Sequence, residues 1–300
     1  ANGPDNGDLN LTTPAAGDPV ITLAGAGRAS TIIDANQIDR VLRIDSNRTA
    51  LLSRLTLRSG YLSRAEFGGG VYNGGTLTLD RCAISDNRTV TPASGGGGIY
   101  SNGPLSMNDT SVTGNVTNAS GGGINSAEPV SMVRSTISGN TAHLDGGGLR
   151  AGGAMSLSIT SSAITRNESY RDGGGLFVTN PLVVTNTTIS TNSAWRDGGG
   201  IYYSGGAADA NFYSSTIVDN GADADADVNG GIGGGIYVEA PSIFNLANTL
   251  VAGNTLFNQP IYDDCWGALT SYGANLFWEI SIFCQITHGG GDGWGGLNSL

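Results

Sequence analysis

Three aspartates recur at one offset in successive repeats of this chain. Asp145, Asp172 and Asp197 each immediately precede a glycine triplet, the last two behind an arginine, Arg171 and Arg196. On successive turns of a stacked repeat, such carboxylates stand ~5 Å apart, the separation used by retaining glycosidases; two turns approach the inverting distance. The competing role is structural, since Asp is a good turn residue and has an Arg neighbour to pair with. The structural role is the stronger, because no second acid, aromatic subsite and base converge on the column.

A second acidic element is Asp223-Ala224-Asp225-Ala226-Asp227-Val228-Asn229-Gly230, in the one long insertion of the repeat. Alternating oxygen ligands are what Ca²⁺ requires, so Asp223, Asp225 and Asp227 are the candidate metal ligands. Val228 stands where a calcium loop has its sharp-turn glycine, and the distal Glu is missing. A solvated acidic loop is the simpler reading. Three scattered cysteines and two histidines, His143 and His288, give no ligand spacing for another metal. No cofactor is required.

Tyr72, Tyr100, Phe177, Tyr202 and Tyr237 each follow an apolar residue that closes a glycine triplet, and should point outward in a column. Stacked rings on a sheet face could bind a sugar or a partner, and they also stabilise neighbouring strands. Asn125 and Arg150 interrupt the column, which favours the structural role. Asn47, Asn87, Asn115 and Asn167 begin Asn-x-Ser/Thr sequons, which arise by chance in so polar a sequence.

All of these residues hang on one repeated element. Gly68-Gly69-Gly70-Val71-Tyr72 returns six times, and its last glycines, 70, 98, 123, 148, 175, 200 and 235, are spaced by 28, 25, 25, 27, 25 and 35 residues. Asn87, Asn115, Asn140, Asn167, Asn192, Asn220 and Asn254 keep the same step. Between these markers apolar residues alternate, as in Leu77-Thr78-Leu79 and Val130-Ser131-Met132, which is strand periodicity. Helix-pair repeats are thereby excluded, and a propeller blade of about 40 residues is too long. What remains is an all-β fold: a single-domain right-handed parallel β-helix of about nine to ten coils of ~25 residues.

Aligning the repeats gives three columns. Ile84, Val112, Ile137, Ile164, Ile189, Ile217 and Val251 face inward, and two residues earlier runs a small inward column from Cys82 and Thr110 to Thr249. The asparagines form a ladder of side-chain amides at a turn, structural and not catalytic. Residues 1–19 read as an irregular lead-in, 20–266 as the β-helix, and 267–300 as a closing coil with a Gly-rich tail anchored by Trp294 and Leu297.

The 300 residues carry a net charge of −11, and all fourteen basic residues are Arg. They form no cluster, so a nucleic-acid partner has no electrostatic footprint. No apolar run approaches the ~20 residues of a transmembrane segment. The chain starts at Ala1 without a leader, from which we expect a signal peptide to have been removed. Cys265 and Cys284 flank the last coil and are paired as a disulfide, while Cys82 falls in the inward column as a buried thiol. This cysteine usage agrees with an extracellular or cell-surface location.

The run Gly25-Ala26-Gly27-Arg28-Ala29-Ser30-Thr31-Ile32-Ile33-Asp34, with Asp39-Arg40-Val41, resembles the opening coils of secreted bacterial right-handed β-helix proteins of the Cys-Ser-Leu-Arg-Glu-Ala type. The closing stretch, Asn248 to Asn254 through Asp264-Cys265-Trp266-Gly267 to Asn275 and Cys284, is similar to their last coil. The Gly-Gly-Gly-Ile repeats are similar to those of chlamydial polymorphic outer-membrane proteins. The resemblance implies a secreted or surface protein without an assigned activity.

The leading function is therefore a non-catalytic structural or adhesive element outside the cell, self-associating end to end and in contact with surface glycans. A carbohydrate-active enzyme or glycan-binding module is the second reading, on fold analogy. An ice- or mineral-binding module ranks last, because it needs an outward Thr array and the regular Ser/Thr column faces inward.

Overall fold

A computed structural model describes residues 8–11, 20–153, 156–225, 230–257, 261–278, 283–288 and 291–294. The chain winds as a right-handed parallel β-helix of about nine turns, with no helix among the described residues. Each turn contributes four short strands, and equivalent strands of successive turns pair in parallel. In one turn the first face takes Val71–Asn73, the second Thr76–Asp80, the third Ala83–Ser85 and the fourth Arg88–Thr89. The first two faces merge into a 20-stranded sheet; the third is 11-stranded and the fourth 9-stranded. The alternation in the sequence marks the second and third faces. The fourth, of two residues, is too short to show a period.

Register is straight along the third face: Ala83, Ser111, Thr136, Ala163, Thr188 and Thr216 are successive partners. Ile84 and the six residues expected beneath it, through Val251, are completely buried. The core is a narrow stack of such aliphatic columns.

The corners explain the glycines. Gly68 has φ +71°, a left-handed conformation, and a Cβ there would meet its own loop's Val71 carbonyl oxygen at 2.2 Å. Gly69 and Gly70 are excluded from carrying a side chain by the next turn, since a Cβ on either would lie 2.6 Å from the carbonyl oxygen of Gly97 or Gly98. Two other corner columns are also left-handed. One runs Arg54, Arg81, Asp109, Arg134, Ser161, Asn186, Ser214, Asn248 and Ala274; the other, just before the Asn ladder, includes Asp86, Gly114, Gly139, Arg166, Thr191 and Gly253.

Thr191, with φ +54°, is the β-branched member of that second column and is exposed. Branching at Cβ makes this conformation costly, whereas Asn tolerates it. Thr191→Asn should therefore stabilise the protein by about 1 kcal/mol; urea unfolding with no gain in midpoint would contradict this.

Two boundaries differ from expectation. Leu9–Leu11, inside the stretch expected to be irregular, is a strand paired in parallel with Leu42–Ile44. Leu9, Asn10 and Leu11 repeat the polar-between-apolar pattern of the first face, but no glycine triplet precedes them to mark it. At the other end the strand Cys265–Ser271 runs through position 266/267 and pairs with both Ile236–Val238 and Ile243–Ala247, so the closing coil is continuous with the solenoid. Leu297 lies outside the described residues.

Candidate functional site

The asparagine corner is a continuous buried ladder. From Asn87 onward, each residue donates its backbone N–H and its Nδ2 to the Oδ1 of the asparagine one turn on, at 2.9–3.1 Å throughout. The second Nδ2 hydrogen goes to the carbonyl oxygen of the inward residue one turn back, such as Ile84 for Asn115 or Val112 for Asn140. Every donor and acceptor position of the amide is used. Asn87, Asn115 and Asn167 are thus buried to within 1% of fully, and their sequons are closed to a glycan.

The ladder ends on a carboxylate. Asn254 donates to Asp264 Oδ1 through its N–H at 3.0 Å and its Nδ2 at 2.7 Å. The inward hydroxyl column does the same: Thr110, Ser135, Ser162, Thr187, Ser215 and Thr249 each accept the N–H of the turn before. Thr249 N–H then donates to Asn275, and Asn275 N–H to Asp292. An ionised carboxylate only accepts, which suits the last rung of a chain whose donors all point one way. Burial, offset in part by the Asn254 bonds, pushes Asp264 up to about 6. At Asp292 the bonds from Ser271, Asn275 and His288 outweigh its burial and hold the carboxyl below its usual range. Neither residue keeps the 25-residue step, so no periodic signal in the sequence could reveal the two ends.

Asp145, Asp172 and Asp197 lie on adjacent turns, as Gly146 N–H donates to the Asp172 carbonyl and Gly173 N–H to that of Asp197. Arg171 grips Asp145 with two bonds and lies 3.6 Å from Asp172; Arg196 lies 3.6 Å from Asp172 and 3.9 Å from Asp197. Asp172 Oδ1 accepts the Asp197 N–H at 3.2 Å, and Asp197 Oδ1 the Ile232 N–H at 3.1 Å. The carboxylates hold the corner together, one turn to the next. Burial raises Asp172 to about 6 and also raises Asp197.

The aromatic column does point outward on the first face, with Arg43, Tyr72, Tyr100, Asn125, Arg150, Phe177, Tyr202, Tyr237 and Trp266 in register. Its rings stack on one another. Phe177–Tyr202 and Tyr202–Tyr237 have centroids 4.9 and 4.7 Å apart and planes within 19°; Tyr72–Tyr100 are 6.0 Å apart. Arg150 caps Phe177 at 5.9 Å and Arg43 caps Tyr72 at 5.4 Å. The ring faces that would take a sugar are turned along the axis and covered by their neighbours.

A second stack, His143–Tyr170–Trp195, follows the fourth face with centroids 4.6 and 4.1 Å apart. Each member stands three residues after a ladder asparagine, a fixed offset that the sequence shows but that mixed residue types conceal. Asp223 occupies the same offset after Asn220 and is buried, while Asp225 is exposed; Asp227 lies outside the described residues. Among the described residues no group of three or more His, Cys, Asp or Glu is placed to hold a metal. One open groove, lined by Ser214, Thr216, Asn248, Leu250, Ala274 and Leu276 among others, holds no titratable side chain.

No family model matches this chain, nor does a curated protein or a solved structure. Its chemistry therefore rests on its own geometry. Cys265 and Cys284 form a disulfide with Cα atoms 5.3 Å apart, and Cys82 is free and buried, its thiol pushed up by burial. Among the described residues, no helix is long and apolar enough to cross a membrane.

Proposed function

We propose that this chain is a non-catalytic structural rod that associates end to end, outside the cell as its resemblance to secreted β-helix proteins implies. One observation carries the reading: the polar and aromatic side chains in regular columns bond or stack along the axis, turn to turn, and do not converge on a cleft. Asn ladder, hydroxyl ladder, Asp/Arg ridge and ring stacks all rigidify the same direction. A disulfide closing the last coil suits an oxidising compartment.

The two ends support association. Large apolar side chains are exposed in the first and last coils: Ile38 at 73%, Tyr272 at 66%, Phe257, Trp278 and Phe283. Contact between unlike ends is heterologous and builds an open filament unless the rotation closes. Light scattering over a concentration series should show mass rising with concentration, and electron microscopy should show rods longer than one molecule. Tyr272→Glu should reduce both. A concentration-independent monomer would overturn end-to-end association. The second reading, a glycan-active β-helix, draws on the raised Asp172 beside Tyr202 and Tyr237; reducing-sugar release that Asp172→Asn abolishes would replace the rod with an enzyme.

A further inference from the structure

Two sets of Ser and Thr residues near the third face of this chain contrast with each other. Those of the inward column bond within the protein: besides accepting an N–H, Thr110, Ser135, Ser162 and Thr187 donate to the carbonyl two residues back at 2.7–3.0 Å. Those of the third face point the other way. Ser111, Thr136, Ala163, Thr188 and Thr216 form one outward column in unbroken register. Thr113, Ser138, Thr165 and Ser190 form a second, two residues along each strand, with buried Val112, Ile137, Ile164 and Ile189 between the columns. None of the hydroxyls in these two columns bonds to another described residue. The inward column was the regular array expected from the sequence; the outward pair is equally regular and is presented to solvent.

We propose that this third face binds an ordered lattice of water, that is, the surface of ice. Hydroxyls within a column repeat at the interstrand distance, about 4.8 Å, and the two columns stand about 6.6 Å apart. In a tetrahedral network of about 2.8 Å hydrogen bonds, second neighbours lie about 4.6 Å apart and layers repeat at about 7.4 Å. The first repeat matches closely, and side-chain rotation about χ1 takes up the difference in the second.

Charge selects the same occupant. The protein carries −11, yet no charged residue interrupts either column from Ser111 to Ser190, whereas the first-face column holds Arg43 and Arg150. A partner recognised by charge gains nothing on this face, and a neutral lattice loses nothing. A sugar would lack an aromatic platform here, since no ring stands in either column from Ser111 to Ser190. Between Ser111 and Ser190 a second copy would find hydroxyls, Ala163 and little apolar area to bury.

The test places the full chain around a seed ice crystal in a small droplet and follows growth on slow cooling. The native protein should hold the crystal in a faceted shape below its melting point. Thr188, the exposed member at the middle of the face, is replaced by Tyr or by Lys, and Ser131, on the second face, by Tyr. Both Thr188 variants should abolish the gap between melting and growth, while Ser131→Tyr keeps it. Circular dichroism and melting temperature establish which variants are folded, and one folded Thr188 variant suffices. Ice that grows freely with native protein overturns the proposal, as does a folded Thr188→Lys variant with native activity. A dimer that Thr188→Tyr dissolves would assign the face to a second copy instead.

Discussion

Asn140→Ala should be among the most destabilising single substitutions in this protein. Its Oδ1 accepts the N–H and Nδ2 of Asn115 at 3.0 and 2.9 Å, and its Nδ2 donates to Asn167 Oδ1 at 2.9 Å and the Val112 carbonyl at 3.0 Å. Truncation removes four buried hydrogen bonds and strands the Asn115 N–H, which no water can reach. At about 1 kcal/mol for each bond and about 1–3 kcal/mol for the stranded donor, the loss is on the order of 5–7 kcal/mol. Because each rung polarises the next, a mid-ladder substitution should cost more than one at Asn87, whose Oδ1 accepts only the Gly60 N–H at 2.8 Å among the bonds in the ladder. Equilibrium unfolding in denaturant measures both. A loss below about 1 kcal/mol for Asn140→Ala, the value of a single bond, would show that the ladder is not cooperative.

The second large effect is on pH dependence, and its sign is unusual. Asp172 and Asp264 each rise from 3.8 to about 6 on folding, with burial the leading cause in both, and Asp197 moves in the same direction. In that interval the folded state binds more protons than the unfolded one, so stability falls as pH rises from about 4 through 6. From pH 4.5 to pH 7.5 the loss is on the order of 2 kcal/mol for each of the two groups. Asp34, Asp80 and Asp292 are lowered; their stabilisation is present above 3.8 and disappears only in stronger acid. The protein should therefore be most stable in mild acid, near pH 4–5, reinforced by relief of its net charge of −11. Asp264→Asn, which preserves an Oδ1 for Asn254, should flatten the profile by roughly half and stabilise the protein at neutral pH. Melting temperatures that stay level or climb from pH 4.5 to 7.5 would refute the assignment.

Both effects come from residues whose placement was only partly legible. The asparagines keep step with the glycine triplets, so a ladder at a corner could be read directly from spacing. Its polarity and its carboxylate end could not. Asp264 follows Asn254 by ten residues instead of a full turn, because the chain reaches the last rung by a shortcut that no repeat announces. The outward direction of Tyr72, Tyr100, Phe177, Tyr202 and Tyr237 was readable from alternation, but not that their faces are spent on one another, which depends on rotamers shared across turns. The Ser/Thr columns show the difference most clearly. Cys82 to Thr249 could be placed inward by counting two residues back from the Ile84 column. Thr136 and Ser138 flank that same column, yet their hydroxyls' lack of partners shows only once the third face is assembled.

By itself, then, the sequence determined the repeat, the strand character and the single solenoid, because a period of ~25 residues with alternating apolar positions can bury its core only by stacking turns. It also determined the buried Cys82, from its place in the inward column, and the disulfide partners, which flank the last coil. Only the tertiary structure decided which carboxylates are buried and how the Asp/Arg ridge is paired. The same holds for which rings cover which, and for which hydroxyls remain open to solvent. Those properties belong to contacts between turns, between residues about 25 positions apart, and their energies depend on distances and burial that spacing along one chain does not contain.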